Sequence, residues 1–136
     1  MTSTWTSWPP LDQGRNYHSC MRTGSNVVIA GGLDLDQHLL ASTTILSIEH
    51  KSHRPGGDMS LARFSFQMVR HEDKLFALGG GGGLASGDYE GPALDLVEEW
   101  NEATEEWTAR EDLRMDTNRL LFGAVDAPRS AVFGAI

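Results

Sequence analysis

The chain has 136 residues, enough for one ordinary domain, with 40% apolar and 22% charged residues and a net charge of −8. No apolar run reaches the roughly 18 residues that a membrane-spanning helix needs, so no membrane partner is expected. The acidic excess repels phosphate backbones, which argues against nucleic-acid binding.

The charge is uneven. Residues 88–112 hold ten acids and one base, Arg110, whereas residues 1–87 balance seven against seven. The plain reading of the acidic stretch is a solvated face. The N-terminus lacks the basic segment and apolar core of a signal peptide. Cys20 is the only cysteine, which favours a reducing compartment and a cytoplasmic location.

In chain order, residues 17–23 read as a short strand and Gly24-Ser25-Asn26 as a tight turn. Val27-Val28-Ile29-Ala30 follows as a strand buried on both faces. Gly31-Gly32 ends it, where the backbone needs positive φ or close packing. Residues 33–41 are a polar loop, and 42–50, rich in β-branched residues, a third strand. Residues 53–58 are loop-like.

The order then recurs. Residues 66–70 are a strand, 71–74 a turn, 75–78 a buried strand, and Gly79-Gly80 its end. A long loop reaches Pro92, residues 94–100 form a third strand, and a fourth lies around Trp107. Read alone, Ala93, Val97, Trp100, Ala103 and Trp107 have helical spacing. The repeat register overrides that pattern: Arg15 to Arg63 and Gly31 to Gly79 are both 48 positions. Residues 45–49, ending in Glu49, answer 94–98, ending in Glu98, at an offset of 49. Leu11, Met59 and Met115 each stand four positions before an arginine, namely Arg15, Arg63 and Arg119.

Paired glycines after an apolar strand, Val97-Glu98-Glu99-Trp100 and a tryptophan seven positions on, Trp107, resemble the kelch motif. In the first repeat Lys51 stands at the aromatic position and no tryptophan follows, so its fourth strand lacks the usual residues. The resemblance implies an all-β fold, a β-propeller in which each repeat is one four-stranded blade. Residues 1–13 would then be the last strand of a preceding blade, 14–61 and 62–117 two blades, and 118–136 the opening strands of another. Two blades fall short of the four to eight that close a propeller, so missing blades or self-association are expected.

Several patterns carry chemistry elsewhere. The glycine run 79–83 fits a dinucleotide fingerprint, yet residues 85–92 cannot form the helix that would hold a pyrophosphate. His50 and His53 lie at a strand end with no cysteine near, which reads as two loop histidines rather than a metal site. His18 and Cys20 share a strand face, but a structural cysteine is the commoner case, and His18 is read as packed near the core. Tyr17 and Tyr89 lack the histidine cluster of a galactose-oxidase-like site. No catalytic residue, cofactor or metal is expected.

The resemblance instead implies a non-catalytic module that binds another protein or peptide through rim loops, as substrate-recruiting adaptors do. The alternative is a fragment of a propeller oxidase or sugar-modifying enzyme. The expected rim comprises Asn16, Tyr17, Phe64 and Ser65 after the arginines, and Asp34, Asp36 and His38 in the first loop. Asp88, Tyr89 and Glu90 complete it from the longer second loop. Their acidity points to a basic partner segment, with Tyr89 as its anchor.

Overall fold

The computed structural model describes residues 3–82, 92–119 and 123–124. Among these residues ten strands follow in chain order: β1 Ser19–Thr23, β2 Asn26–Ala30, β3 Thr43–Ser47, β4 Ser52–Gly56, β5 Arg63–Phe64, β6 Gln67–His71, β7 Lys74–Leu78, β8 Gly81–Gly82, β9 Val97–Asn101 and β10 Glu106–Ala109. They form three antiparallel sheets, β1-β2-β3-β4, β10-β9-β7-β6 and the small pair β5-β8. A single 3₁₀ turn spans Glu111–Leu113, and the described residues contain no α-helix.

The stretch with helical spacing is therefore strand. β9 pairs with β7, and Trp100 faces Trp107 across β9 and β10, with ring centroids 5.1 Å apart. Such a cross-strand aromatic pair stabilises the sheet by about 0.5–1.5 kcal/mol beyond its buried area. The strand at 94–100 begins later than expected, since Leu94 makes only an isolated bridge to Arg119.

Ladder register corrects one expected correspondence. Ala30 pairs with Thr43, and Leu78 with Val97. Since Leu78 answers Ala30, Val97 answers Thr43 and Glu98 answers Thr44, an offset of 54 rather than 49. Glu49 is instead exposed in the turn after β3 and has no share in the motif. The second repeat is longer in two places. Gly31 to Thr43 is 12 positions against 18 from Gly79 to Val97, and Gly56 to Arg63 is 7 against 9 from Arg110 to Arg119.

β4 forms although its sequence lacks the tryptophan. The turn before it is what the two repeats share. Lys51 and Glu105, at equivalent positions, both adopt positive φ, +49° and +56°. Ser47 Oγ accepts from the His50 N–H, and Asn101 Oδ1 accepts from the N–H groups of Ala103 and Thr104. These side-chain caps close the turn and aim the chain back along β3.

The core lies between the two large sheets. Val28, Ala30 and Ile45 of the first face Met68, Leu75, Ala77 and Trp100 of the second, with Met59 and Phe66 between them. The Trp107 Nε1–H donates to Thr43 Oγ1 at 2.9 Å across the same seam. The strand expected in 1–13 is absent over its described residues: 3–13 are irregular and Trp5 is fully exposed. Pro9 and Pro10 remove two ladder donors there, and the Pro10 carbonyl instead lies 2.9 Å from His53 Nε2.

Candidate partner-binding rim

Two arginines organise the rim. The Arg15 guanidinium donates to the carbonyls of Gly31 (3.0 Å) and Ser42 (2.9 Å). Arg63 donates to those of Gly79 (3.1 Å) and Leu96 (3.4 Å), the equivalent positions. Arg63 also pairs with Glu98, both wholly buried, and lies over the Phe66 ring at 5.2 Å. Burial pulls the Arg63 pKa below its ordinary value and the Glu98 charge opposes that shift; a guanidinium stays charged throughout. Among the described residues Arg15 pairs with no carboxylate, because Thr44 stands where the second repeat has Glu98, and its buried Nε has no partner.

The glycine pairs then tie each repeat to the next. Gly31 and Gly32 have φ of +64° and +95°, Gly79 and Gly80 +58° and +96°. The Gly32 N–H donates to the Arg63 carbonyl (2.8 Å), and the Gly80 N–H to the Arg119 carbonyl (2.9 Å). A Cβ on Gly31 would stand 2.6 Å from the Arg63 carbonyl oxygen, so only glycine fits.

On this frame sit the expected rim residues. Asn16 exchanges two backbone hydrogen bonds with Leu33, which brings the post-arginine segment and the first loop together. Tyr17 is exposed and lies edge-on to Phe64 at 6.3 Å. Phe64 and Ser65 are buried, Phe64 against Leu33 and Leu39, which corrects their placement on the accessible rim. They sink because Ser65 follows Tyr17 in the stack and its N–H donates to the Tyr17 carbonyl at 2.9 Å. His18 is exposed rather than packed; partial burial and the neighbouring Arg15 charge lower its pKa. Asp88, Tyr89 and Glu90 lie outside the described residues.

In the first loop Asp34 Oδ1 accepts from the N–H groups of Asp36 and His38, each at 2.9 Å, and Oδ2 lies 3.3 Å from His38 Nδ1. The His38 backbone N–H is the main cause of an Asp34 pKa below the usual carboxylate range. Acceptor atoms of Asp34, Asp36 and His38 gather within 4.8 Å of one another. A shallow depression beside them is lined by Asp12, Gln13, Gly14 and the exposed Leu35. Asp12 was missed as a rim residue; its position before Arg15, the counterpart of the buried Arg63, was the available signal.

Much of the acidic stretch is exposed, as a solvated face would be, and most of its described acids are paired. Glu99 meets Lys74 and Arg110, Glu105 meets Arg54, Asp95 and Glu111 meet Arg114, and Asp112 meets Arg110. Its charge is largely compensated within the chain. Around the depression no Lys or Arg among the described residues pairs with Asp12, Asp34 or Asp36, and their only ionic neighbours are His53 and His38.

The other weighed patterns stay dispersed. His50 is an exposed turn residue, whereas His53 turns to Pro10 and Asp12. Gly81 and Gly82 enter strand β8 against β5, where a dinucleotide site would need a helix.

No protein-family model matches the chain. Among curated proteins it is similar to alpha-scruin of Limulus polyphemus, a kelch-repeat protein, with 27% identity over 115 residues. That match covers 80% of this chain and only 12% of the relative.

Proposed function

We propose that the chain is part of a kelch-type β-propeller, its two four-stranded sheets being consecutive blades, and that it binds a protein partner through one rim. The partner presents a short basic segment. It lies in the depression between Asp12, Asp34 and Asp36, against the exposed side chain of Leu35. The observation that carries this reading is the contrast in charge compensation. Most described acids of the 95–112 stretch are met by arginines and lysines of the chain, whereas these three, gathered around one depression, are not. A rigid frame holding a loop of uncompensated acids beside apolar contact area suits recognition of lysine or arginine in an extended peptide.

The test uses immobilised peptides of matched length, lysine/arginine-rich against glutamate-rich, with the full chain in solution. Preferential capture of the basic set, weakening as salt rises, is expected. The double variant Asp12→Asn, Asp36→Asn should bind about tenfold more weakly with an unchanged melting curve. Equal capture of both peptide sets, or undiminished binding by the double variant, would remove this reading.

A further inference from the structure

His53 on β4 holds the N-terminal segment by two contacts from one ring. Its Nε2 lies 2.9 Å from the Pro10 carbonyl, and its Nδ1 3.6 Å from an Asp12 carboxylate oxygen. A carbonyl oxygen can only accept, so the first contact assigns a proton to Nε2. In the neutral ring Nδ1 then turns a lone pair toward a carboxylate, acceptor against acceptor. The imidazolium carries a proton on both nitrogens and meets both partners. The ring is only 14% exposed and Asp12 88%, so the histidine is the fixed member of the pair and the acid the movable one.

Asp12 lines the depression with Asp34 and Asp36, and a second histidine stands there: His38 Nδ1 lies 3.3 Å from Asp34 Oδ2. Two of the three acids thus each face an imidazole. We propose that His53 and His38 form a proton gate on this depression, their protonation offsetting two of its three negative charges and so releasing a basic partner segment. The inference rests on the rim reading and adds its regulation. Imidazole takes up a proton between pH 5 and 8, where lysine and arginine of a partner keep their charge. Asp34 stays ionised there, because the His38 backbone N–H and the other bonds it accepts hold its pKa down.

Among the described residues, the surroundings leave these acids as the groups that answer the protons. His53 stands in one ladder row with Leu46, Val27 and Arg22, and Arg22, on β1 at the far edge, donates to the Gly24 carbonyl. Cys20 is also on β1, in the next row. On the strand of His53, Arg54 turns to Glu105, and Glu49, His50 and Lys51 are exposed in the preceding turn. Around His38 stand Asp34 and Asp36, with Asp12 across the depression. The two histidines differ in one respect. His38 is exposed and, while neutral, can place its proton on Nδ1 and meet Asp34. His53 cannot, since its proton is committed to Pro10, and it is therefore the stronger element.

Peptide binding and carbon NMR on the full chain test this. At constant ionic strength the lysine/arginine-rich peptide should bind about fivefold more weakly at about pH 5.5 than at about pH 7.5. His38→Gln with His53→Gln keeps side-chain N–H donors without a titratable proton, and should bind equally at both. Without any peptide, the Asp12 carboxyl carbon should step together with the His53 ring resonances, far above the titration of a free aspartate at about 3.9. Peptide binding missing at both pH values would remove the rim reading and leave the gate to be decided by the carbon alone. An Asp12 carbon that stays flat through the histidine range would overturn the gate. So would a measurable affinity that pH does not change, or an equal loss of affinity in the double variant.

Discussion

Glu98 divides its carboxylate between two elements: one oxygen pairs with the Arg63 guanidinium and the other accepts the Ser60 N–H at 2.8 Å. Both side chains are wholly buried. Removing the acid strands a buried cation, which costs more than the net worth of the pair. Glu98→Ala is expected to lose about 3–5 kcal/mol in urea unfolding. Arg63→Met with Glu98→Leu should lose less than either single change.

The first repeat offers the reverse experiment. Thr44 occupies the register position of Glu98, and Arg15 has a buried Nε without a partner. Thr44→Glu should supply the missing carboxylate and raise the unfolding midpoint. The gain should be at most about 1 kcal/mol, because Arg15 is only half-buried and water screens the pair.

Trp107 ties the two sheets through Thr43 Oγ1. Trp107→Phe keeps an aromatic ring against Trp100 but loses the donor, and should cost about 1 kcal/mol. Thr43→Val should cost a similar amount, and the double variant little more than one alone, as a double-mutant cycle would show.

Two glycines with the same sign of φ should respond differently to alanine. Gly24 has φ +56° and open space around its Cβ position, so Gly24→Ala carries backbone strain alone, about 1 kcal/mol. At Gly31 the new Cβ would meet the Arg63 carbonyl, the Phe66 ring and the Met59 methyl within 2.9 Å. Gly31→Ala should lose several times as much, with the seam between the sheets loosened in amide exchange.

The Asp34 carboxylate is held below its ordinary value of 3.8 by the bonds it accepts. Its charged form therefore favours the folded loop. That contribution is complete above the ordinary value and fades as pH falls through the lower, folded one. The His38 amide proton chemical shift should titrate in that acid window. Asp34→Asn should abolish the titration.

Much of this architecture was legible because glycines at positive φ and an arginine reaching their carbonyls leave few substitutes, so the 48-residue spacing survives in the letters. The third strands were harder to align. Ile48-Glu49 and Val97-Glu98 look alike, yet only a ladder partner distinguishes a strand interior from a turn, and six extra loop residues moved the true match. β4 was obscured because its turn is set by backbone φ at Lys51 and a Ser47 cap rather than by an aromatic residue. Of the rim, Asp34, Asp36, His38 and Tyr17 were readable as loop residues beside an arginine. The burial of Phe64 and Ser65, and the internal pairing of the acidic stretch, depend on which neighbours the fold brings, and no local pattern encodes that.

The bond from the Gly32 N–H to the Arg63 carbonyl has a temporal meaning. A unit of this chain cannot finish its own glycine corner; the closing acceptor is made by the ribosome some thirty residues later. Gly31 likewise waits for the Phe66 ring that fills the space beside it. Each section is thus latched by the first turn of its successor, so a cut between the two would leave the earlier glycine corner without its acceptor.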